Sequence, residues 1–431
     1  MKLLVSCIPY DGGKSGISVY DREVVRELLY QGHELTLLAE PGGIENGEWR
    51  MENLGDSQRP NSQIPTSPTS NSQFSILHSQ FSILSAPRWT RRAAFSMLWH
   101  LIVLPFWIWR RRRDFDGFVI CAANRRVCAF YPLPTVATVH DLANFHIPGK
   151  YSRMRMFYLA HILPFFARRA QHLVAVSGAT KTDMVKFWGC RDERVTVLYN
   201  GVQSAECLVP SAGGRVPSAK CLVPSAECED QALSTRHYAL STKHYALGTR
   251  HSALTTILYI SRIEHPGKNH VRLIEAYSRL PREIAEAHPL VISGADWKDA
   301  EIVHSAAAAS PHSDLIRFTG FVEDIEKVWA DAGFYVFPSL FEGFGLSLVE
   351  AMARGIPCAC SNNGSLGEIA GDVAVTFDPE SVDGIAAALH RLVTEPKQDR
   401  EARIARGLEH VKRFSWKDHA AGIVRLLKGV A

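Results

Sequence analysis

Short runs of consecutive apolar residues alternate along the chain with longer segments in which apolar positions recur every three or four residues. The chain opens with KLLVSCI, a run with the length and branched composition of a buried strand. The glycine-rich PYDGGKSG follows, then a helical segment from Ile17 to Tyr30 with Ile17, Tyr20, Val24 and Leu28 on one stripe. Gly32 stops that helix, and ELTLLAE resumes the strand pattern. GFVICA, TVATVH, HLVAVS and RVTVLY are further strands of the first half. In the second half TILYIS, LVISG, IRFTG, FYVFPS, PCACS and AVTF alternate with helical periodicity, marked for example by Leu273, Ile274 and Tyr277. Continuous apolar strands separated by helices predict an α/β architecture with parallel sheets covered on both faces. The pattern runs once in each half, which predicts two doubly wound domains.

Two segments interrupt the alternation. Residues 57–86 hold SQFSILH followed by SQFSILS, and residues 204–254 hold LSTRHYA, LSTKHYA and LGTRHSA after several copies of VPSA. A seven-residue period suggests a coiled coil, but in the 204–254 copies no two apolar positions of LSTRHYA, LSTKHYA or LGTRHSA stand three or four apart, as the two core positions of a coiled coil must. His237, His244 and His251 recur with the same period in a Ser/Thr/Pro-rich tract, which duplicated low-complexity insertion explains better than a comb of metal ligands. Both segments are expected to be poorly ordered loops, the second at the linker between domains.

With 431 residues, 46% of them hydrophobic and 21% charged, the chain has room for two cores. The net charge of +4 is unevenly spread: Arg88 to Ala170 carries 14 Lys and Arg against Asp114, Asp116 and Asp141, a surplus of 11 that leaves −7 for the remainder. Sixteen aromatic residues lie among those cations, which suits attachment to an anionic membrane surface. The stretch AFSMLWHLIVLPFWIW, residues 94–109, precedes Arg110 to Arg113 like a membrane span with a positive flank. It falls short of the roughly 18 to 20 residues a span needs and contains His100 and Pro105, so a buried or interfacial helix is expected. No nucleic-acid-binding module is recognisable. The nine cysteines form no paired CxxC framework, which favours a reducing compartment; Cys358 and Cys360 are expected to be strand residues. The apolar run of MKLLVSC is too short to serve a signal peptide and is taken as a first buried strand.

Chemistry concentrates where strands end. GGKS at 12–15 resembles the end of a phosphate-binding P-loop, but Ile8 stands where that motif needs glycine. The loop still joins a strand to a helix N-terminus, a place that favours an anion and looks equally like a plain tight turn. TVATVHDL puts His140 and Asp141 at a strand's C-terminal end, the edge at which open α/β sheets bind ligands. LYISRIEHPGKN puts Arg262 just past a strand and Lys268 just before Asn269, a good N-cap residue, so that two cations and a helix start suit a diphosphate. Asp114-Phe115-Asp116 has the spacing of a metal-binding DxD, yet it precedes its strand, on the wrong edge for a ligand crevice; no metal is expected. In PSLFEGFGLSLVEAMARG, Gly343 and Gly345 allow a ligand close to the backbone, while Glu342 and Glu350 suit the vicinal hydroxyls of a ribose or a hexose. Glu350 falls one turn after Leu346, beside Val349 and Ala353, on what should be the core-facing stripe; a carboxylate there needs a partner.

SLFEGFGLSLVEAMARGIPCACSNNGSLGEIAGDVAVTFDPES resembles the hallmark of the family-four glycosyltransferases of the two-domain GT-B fold, two glutamates separated by seven residues. SRIEHPGKN, VSGATKTDM, YNGV, VHDL and SGISVY match in the expected order, and the likeness is greatest to mannosyltransferase-like members that build surface polysaccharide. The resemblance implies an acceptor-side domain over 1–202, a repeat-rich insertion over 203–254, a nucleotide-sugar donor domain over 255–412, and a helix within 413–431 that crosses back to the first domain. It implies that Glu342 holds donor-sugar hydroxyls and Glu350 the ribose, and that Phe344, Gly345 and Leu346, with Gly343, offer backbone to the donor. It implies further that Arg262 and Lys268 grip the diphosphate, that Gly13 and Gly16 approach it from the other domain, and that His140 touches the sugar. Ser347 stands where the family often has proline, and the residues after YNGV are overwritten by the repeat.

The expected reaction is a metal-independent, cofactor-free, retaining transfer of a hexose, mannose favoured, from a nucleotide diphosphate sugar to a glycan or lipid-linked acceptor. The expected location is the cytoplasm, peripheral on the inner membrane face. A sugar-nucleotide epimerase or hydrolase and an inactive sugar-nucleotide-binding scaffold are the alternatives.

Overall fold

A computed structural model of the chain describes residues 1–8, 15–39, 81–147 apart from 92, 149, 151–202 and 255–429. The repeats of 204–254 and the first copy of the SQFSIL repeat lie outside the described residues. Two compact units are present, one formed by Met1–Asn200 with Trp416–Ala431 and the other by Gly201–Ser415.

The first unit is built on a seven-stranded, all-parallel sheet. Its strands are β1 (Lys2–Ser6), β2 (Glu34–Ala39), β3 (Phe81–Ser85), β4 (Gly117–Ile120), β5 (Thr135–Val139), β6 (His172–Ala175) and β7 (Val195–Val197), in the order β3-β2-β1-β4-β5-β6-β7. The central strands β4 and β5 are buried at every position, as continuous apolar runs must be when both sheet faces are covered. Ser15 caps the helix Gly16–Tyr30 through its hydroxyl, and the stripe of Ile17, Tyr20, Val24 and Leu28 is buried. The C-terminal helix Trp416–Gly429 packs beside it, with Leu427 against Gly117 and Leu198 against Gly422, where a larger residue would collide.

Strand β3 corrects the sequence reading. Its residues are the second copy of the repeat, taken above as part of a poorly ordered loop, yet Leu35 to Ala39 pair with Phe81 to Ser85 in parallel. As an edge strand it needs one partner only and stays largely exposed, and its apolar residues Phe81, Ile83 and Leu84 lie in a duplicated tract that reads as low-complexity insertion.

Between β3 and β4 the helix Ala93–Leu98 continues through a π turn, Trp99–Val103, into Leu104–Arg110. Pro105 has no N–H to give to Leu101; that carbonyl accepts from Ala129 N–H instead, at 2.8 Å. A second helix repeats the design: Arg153–Phe157, the π turn Tyr158–Ile162 and Leu163–Ala167, with Pro164 near the start of the last segment. Both bury their inner side in one core layer with Phe118, Leu173 and Trp188. No helix among the described residues is long and apolar enough to cross a membrane.

The second unit has a six-stranded parallel sheet: β8 (Thr256–Ile260), β9 (Leu290–Ser293), β10 (Ile316–Gly320), β11 (Ala332–Phe337), β12 (Cys358–Ser361) and β13 (Val375–Phe377), in the order β10-β9-β8-β11-β12-β13. Strand β11 is buried throughout and pairs with β8 on one side and β12 on the other. Cys358 and Cys360 are buried strand residues whose thiols burial pushes up from their ordinary value. The order reverses direction at β8, so the C-terminal ends of β8 and β11 form the crevice at which such sheets take ligands.

Candidate functional site

At that crevice the loop after β8 and the loop after β11 face each other. Leu340 N–H donates to Gly267 O at 3.0 Å, which ties the two loops together, and Lys268 Nζ reaches Glu342 Oε1 at 2.6 Å. Only 19% of the lysine side chain and 17% of the glutamate's is exposed. A pair so far removed from solvent is screened less than a surface ion pair. Arg262 pairs with Glu264 at 3.2 Å and lies over the ring of Trp297, 5.4 Å from its centroid. The two cations that sequence reasoning aimed at one anion are therefore each matched by a carboxylate, and Glu342, expected to serve hydroxyls alone, holds Lys268.

The backbone round Glu342 is fixed from the loop after β12. Ser365 donates to the Glu342 carbonyl from both its N–H, at 3.2 Å, and its hydroxyl, at 3.0 Å. Gly364 has φ +62°, and a Cβ on it would come within 2.8 Å of that same carbonyl, so only glycine fits there. Gly345 has φ +99° and lies so close to Leu366 that an added Cβ would meet its Cδ2 at 2.6 Å. These contacts hold Glu342 and Gly345 at the start of the helix Leu346–Ala353.

That helix revises the wheel drawn from sequence. Its buried residues are Leu348, Val349, Ala351, Met352 and Ala353, whereas Leu346, Ser347 and Glu350 are only half-buried. Neighbours cover it on several sides: β11, β12 and the helices Leu366–Ala370 and Lys397–His410. Glu350 shares the half-buried side of the helix with Leu346 and Ser347, so this carboxylate lies off the core stripe. Tyr335 stands beside it, its hydroxyl donating to Ser347 Oγ at 2.7 Å. Burial, with Glu350 adding to it, pushes the Tyr335 phenol well above its ordinary value and keeps it a donor. Phe344 is buried against Phe414, which leaves only its backbone for a ligand role.

Asn269 corrects a second expectation. It occupies the N-cap position of the helix His270–Tyr277 with φ +61°, but its side chain makes no capping bond. Its amide donates instead to Pro338 O at 2.9 Å and Pro379 O at 2.7 Å, fastening the loop after β8 to those after β11 and β13. Tyr259 adds a hydrogen bond to Lys268 O at 2.8 Å. Neither of these supporting roles was foreseen from sequence, because each depends on how the loops are folded against one another.

In the first unit His140 lies at the end of β5, 8% exposed, and donates from Nε2 to Cys121 O at 2.7 Å. Burial lowers its pKa to about 4, so near pH 7 the ring is neutral. Tyr20, in the first turns of the helix that Gly16 begins, meets His140 edge to face at 4.6 Å. Thr138 and Tyr20 hydroxyls lie 2.8 Å apart, Tyr20 donates to His419 Nε2 at 2.8 Å, and His419 Nδ1–H donates to Tyr199 O. His419, on the C-terminal helix, was not foreseen. Gly13 lies outside the described residues. Asp116 accepts Lys2 N–H at 2.8 Å and so secures the turn that leads into β4, at the opposite edge of the sheet.

Two family models match the chain: glycosyltransferase family 4 over residues 14–206 and glycosyl transferases group 1 over residues 250–409. An O-antigen chain mannosyltransferase B of Escherichia coli is 39% identical over 164 residues, 37% of this chain and 42% of that protein. The serotype-specific mannosyltransferase WbdA of Escherichia coli is 27% identical over 308 residues, 69% of this chain and 34% of that protein. The chain thus spans less than half the length of these curated relatives. Among solved structures, Anabaena HepE in complex with UDP and glucose superposes over 99% of both chains with a TM-score of 0.65 at 17% identity, a likeness of fold.

Proposed function

The chain belongs to the group 1, family 4 glycosyltransferases of the GT-B fold, and on that premise we propose that it is a retaining, metal-independent hexosyltransferase. The donor is a nucleotide diphosphate sugar, with mannose as the sugar favoured by the names of the Escherichia coli relatives. The acceptor is a glycan or lipid-linked glycan in surface polysaccharide synthesis, taken up at the inner face of a membrane.

The observation that carries this reading is the Lys268–Glu342 pair at the crevice of the second sheet, with Glu350 on the half-buried side of the next helix. Donor binding exchanges partners: the diphosphate takes Lys268, and a sugar hydroxyl takes the Glu342 carboxylate that Lys268 releases. Arg262 is 46% exposed and free to turn from Glu264 towards the same diphosphate. Glu350 accepts the ribose hydroxyls, and the backbone of Gly343 to Leu346 lies along the donor. In the transfer the bond between sugar C1 and the diphosphate oxygen breaks while the acceptor oxygen bonds to C1 on the same face. The acceptor's proton passes to the departing phosphate oxygen. Fixed cations lower the barrier by stabilising the charge that develops there. His140, neutral and held by Cys121 O, offers Nδ1 as an acceptor for a sugar hydroxyl.

Thermal stabilisation by GDP, UDP and ADP sugars identifies the donor, since a ligand specific for the native state raises stability with its occupancy. Incubation of the stabilising donor with and without a glycan acceptor then distinguishes the reactions. A glycoside with the donor's anomeric configuration supports the proposal. Free sugar or an epimerised donor formed without acceptor overturns it, as does donor binding with no turnover.

A further inference from the structure

The two proline-broken helices of the first unit each carry an apolar stripe on the side turned away from the core. On the first, Phe95, Leu98, Ile102, Phe106 and Trp109 recur at helical spacing and are each between 44% and 57% exposed. The opposite side of the same helix, with Trp99, Leu104 and Ile108, is buried in the sheet's core layer. On the second, Met154, Phe157 and Phe165 are 86%, 59% and 48% exposed, while Leu163 and Ala167 are buried. The helices flank one short segment: Phe106 meets the ring of Phe130, and Tyr131 donates to Phe166 O at 3.3 Å. An apolar surface built from two stripes costs solubility unless something covers it.

Charge indicates what that is. Arg110 to Arg113 follow the first stripe and are exposed; Arg153, Arg155, Arg168 and Arg169 bracket the second and are exposed. Two of them lie over aromatic rings of the stripes, Arg169 at 3.8 Å from the Phe165 centroid and Arg112 at 5.4 Å from that of Trp109. Exposed rings ringed by guanidinium groups suit a surface with an apolar interior and a negatively charged skin. Neither helix is long enough to enter such a layer end on.

We propose that these two helices together form a docking surface that lies flat on an anionic phospholipid bilayer, rings inserted at the headgroup boundary and arginines on the phosphates. The surface is argued from the helices alone; for its purpose it rests on the lipid-linked acceptor reading.

The full-length chain is mixed with vesicles containing about one-third anionic phospholipid, with neutral phosphatidylcholine vesicles as control, and binding is followed by flotation at low and high salt. The proposal expects binding to the anionic vesicles that falls with salt and is weak on the neutral ones. The double variant Phe106→Ser/Trp109→Ser should lose about tenfold or more of that binding, and replacement of Arg110 to Arg113 by Gln should weaken it at low salt only. Circular dichroism and donor binding, measured in both variants, verify that the fold and the donor crevice are intact. Absence of vesicle binding, or equal binding by intact variants, overturns the proposal while leaving the transferase reading to its own assay. A self-associating wild type that becomes monomeric in the double variant, without vesicle binding, assigns the stripes to a second copy and overturns it too.

Discussion

At the crevice of the six-stranded sheet two ion pairs stand, Lys268 with Glu342 and Arg262 with Glu264, whereas at the corresponding edge of the seven-stranded sheet a chain of neutral groups runs from Thr138 through Tyr20 and His419 to Tyr199 O, with Asp141 beside His140. Both edges arise from the same parallel strand and helix units. Burial separates them. Lys268 and Glu342 remain partly exposed and face each other as an ion pair, while His140 and His419 are so enclosed that burial lowers their pKa and each ring nitrogen that donates finds a carbonyl. One edge is thus fit to exchange its ion pairs for a ligand's charges, and the other to present fixed neutral groups.

Removing a charge from the ionic edge should have the largest effect. Lys268→Ala and Arg262→Ala are each expected to lower turnover by about two to three orders of magnitude, as loss of a donor to developing charge does. Initial rates at saturating donor check this, and near-normal turnover in both variants would remove the ionic edge from the chemistry. The double variant Lys268→Ala/Glu342→Gln should recover thermal stability relative to Lys268→Ala, because no unpaired carboxylate remains, without recovering turnover.

The neutral edge is more sensitive to acid. Burial holds His140 and His419 at about 4, below the ordinary 6.5, so the unfolded chain binds protons that the native one refuses. Their contribution is complete above pH 6.5 and is lost as pH falls towards 4, at about 1.4 kcal/mol per pH unit for each ring. Urea denaturation at pH 7.0 and 5.0 measures the slope, and His419→Gln should flatten it; an unchanged slope would contradict the neutral assignment.

Smaller effects sharpen the contrast. Tyr20→Phe removes one hydroxyl and strands both Thr138 and His419, which should cost about 1 to 3 kcal/mol. Tyr335→Phe deprives only the half-buried Ser347 of a partner and should cost about 1 kcal/mol, with its main consequence a weaker hold on donor beside Glu350. Chemical denaturation ranks the two, and a larger loss for Tyr335→Phe would reverse the comparison.

Legibility in the sequence followed burial and distance along the chain. The inner strands β4, β5, β8 and β11 were plain because both faces are covered and their runs are dominated by apolar residues. Edge strand β3 was not, since its apolar residues are split by serines and lie in a duplicated tract. Arg262, Lys268, Glu342 and Glu350 could be singled out because strand ends and glycine turns mark where a ligand can approach, and the structure places their segments after β8 and β11. Asn269 was found but assigned the wrong bond, since a cap is local while its actual partners lie 69 and 110 residues away. His419 gave no signal at all, being one polar residue on an amphipathic helix until that helix is laid beside Tyr20.

By itself the sequence determined the two sheets, the strand ends at which chemistry gathers and the family to which the chain belongs, because periodicity and short motifs are local and need no partner to be read. Which carboxylate meets which cation, which side of the Glu350 helix is only half-buried, and that two exposed apolar stripes belong to helices sharing one core layer of the first sheet were decided only by tertiary structure. Pairing, exposure and adjacency depend on what the rest of the fold brings alongside, and no residue carries that in its own identity.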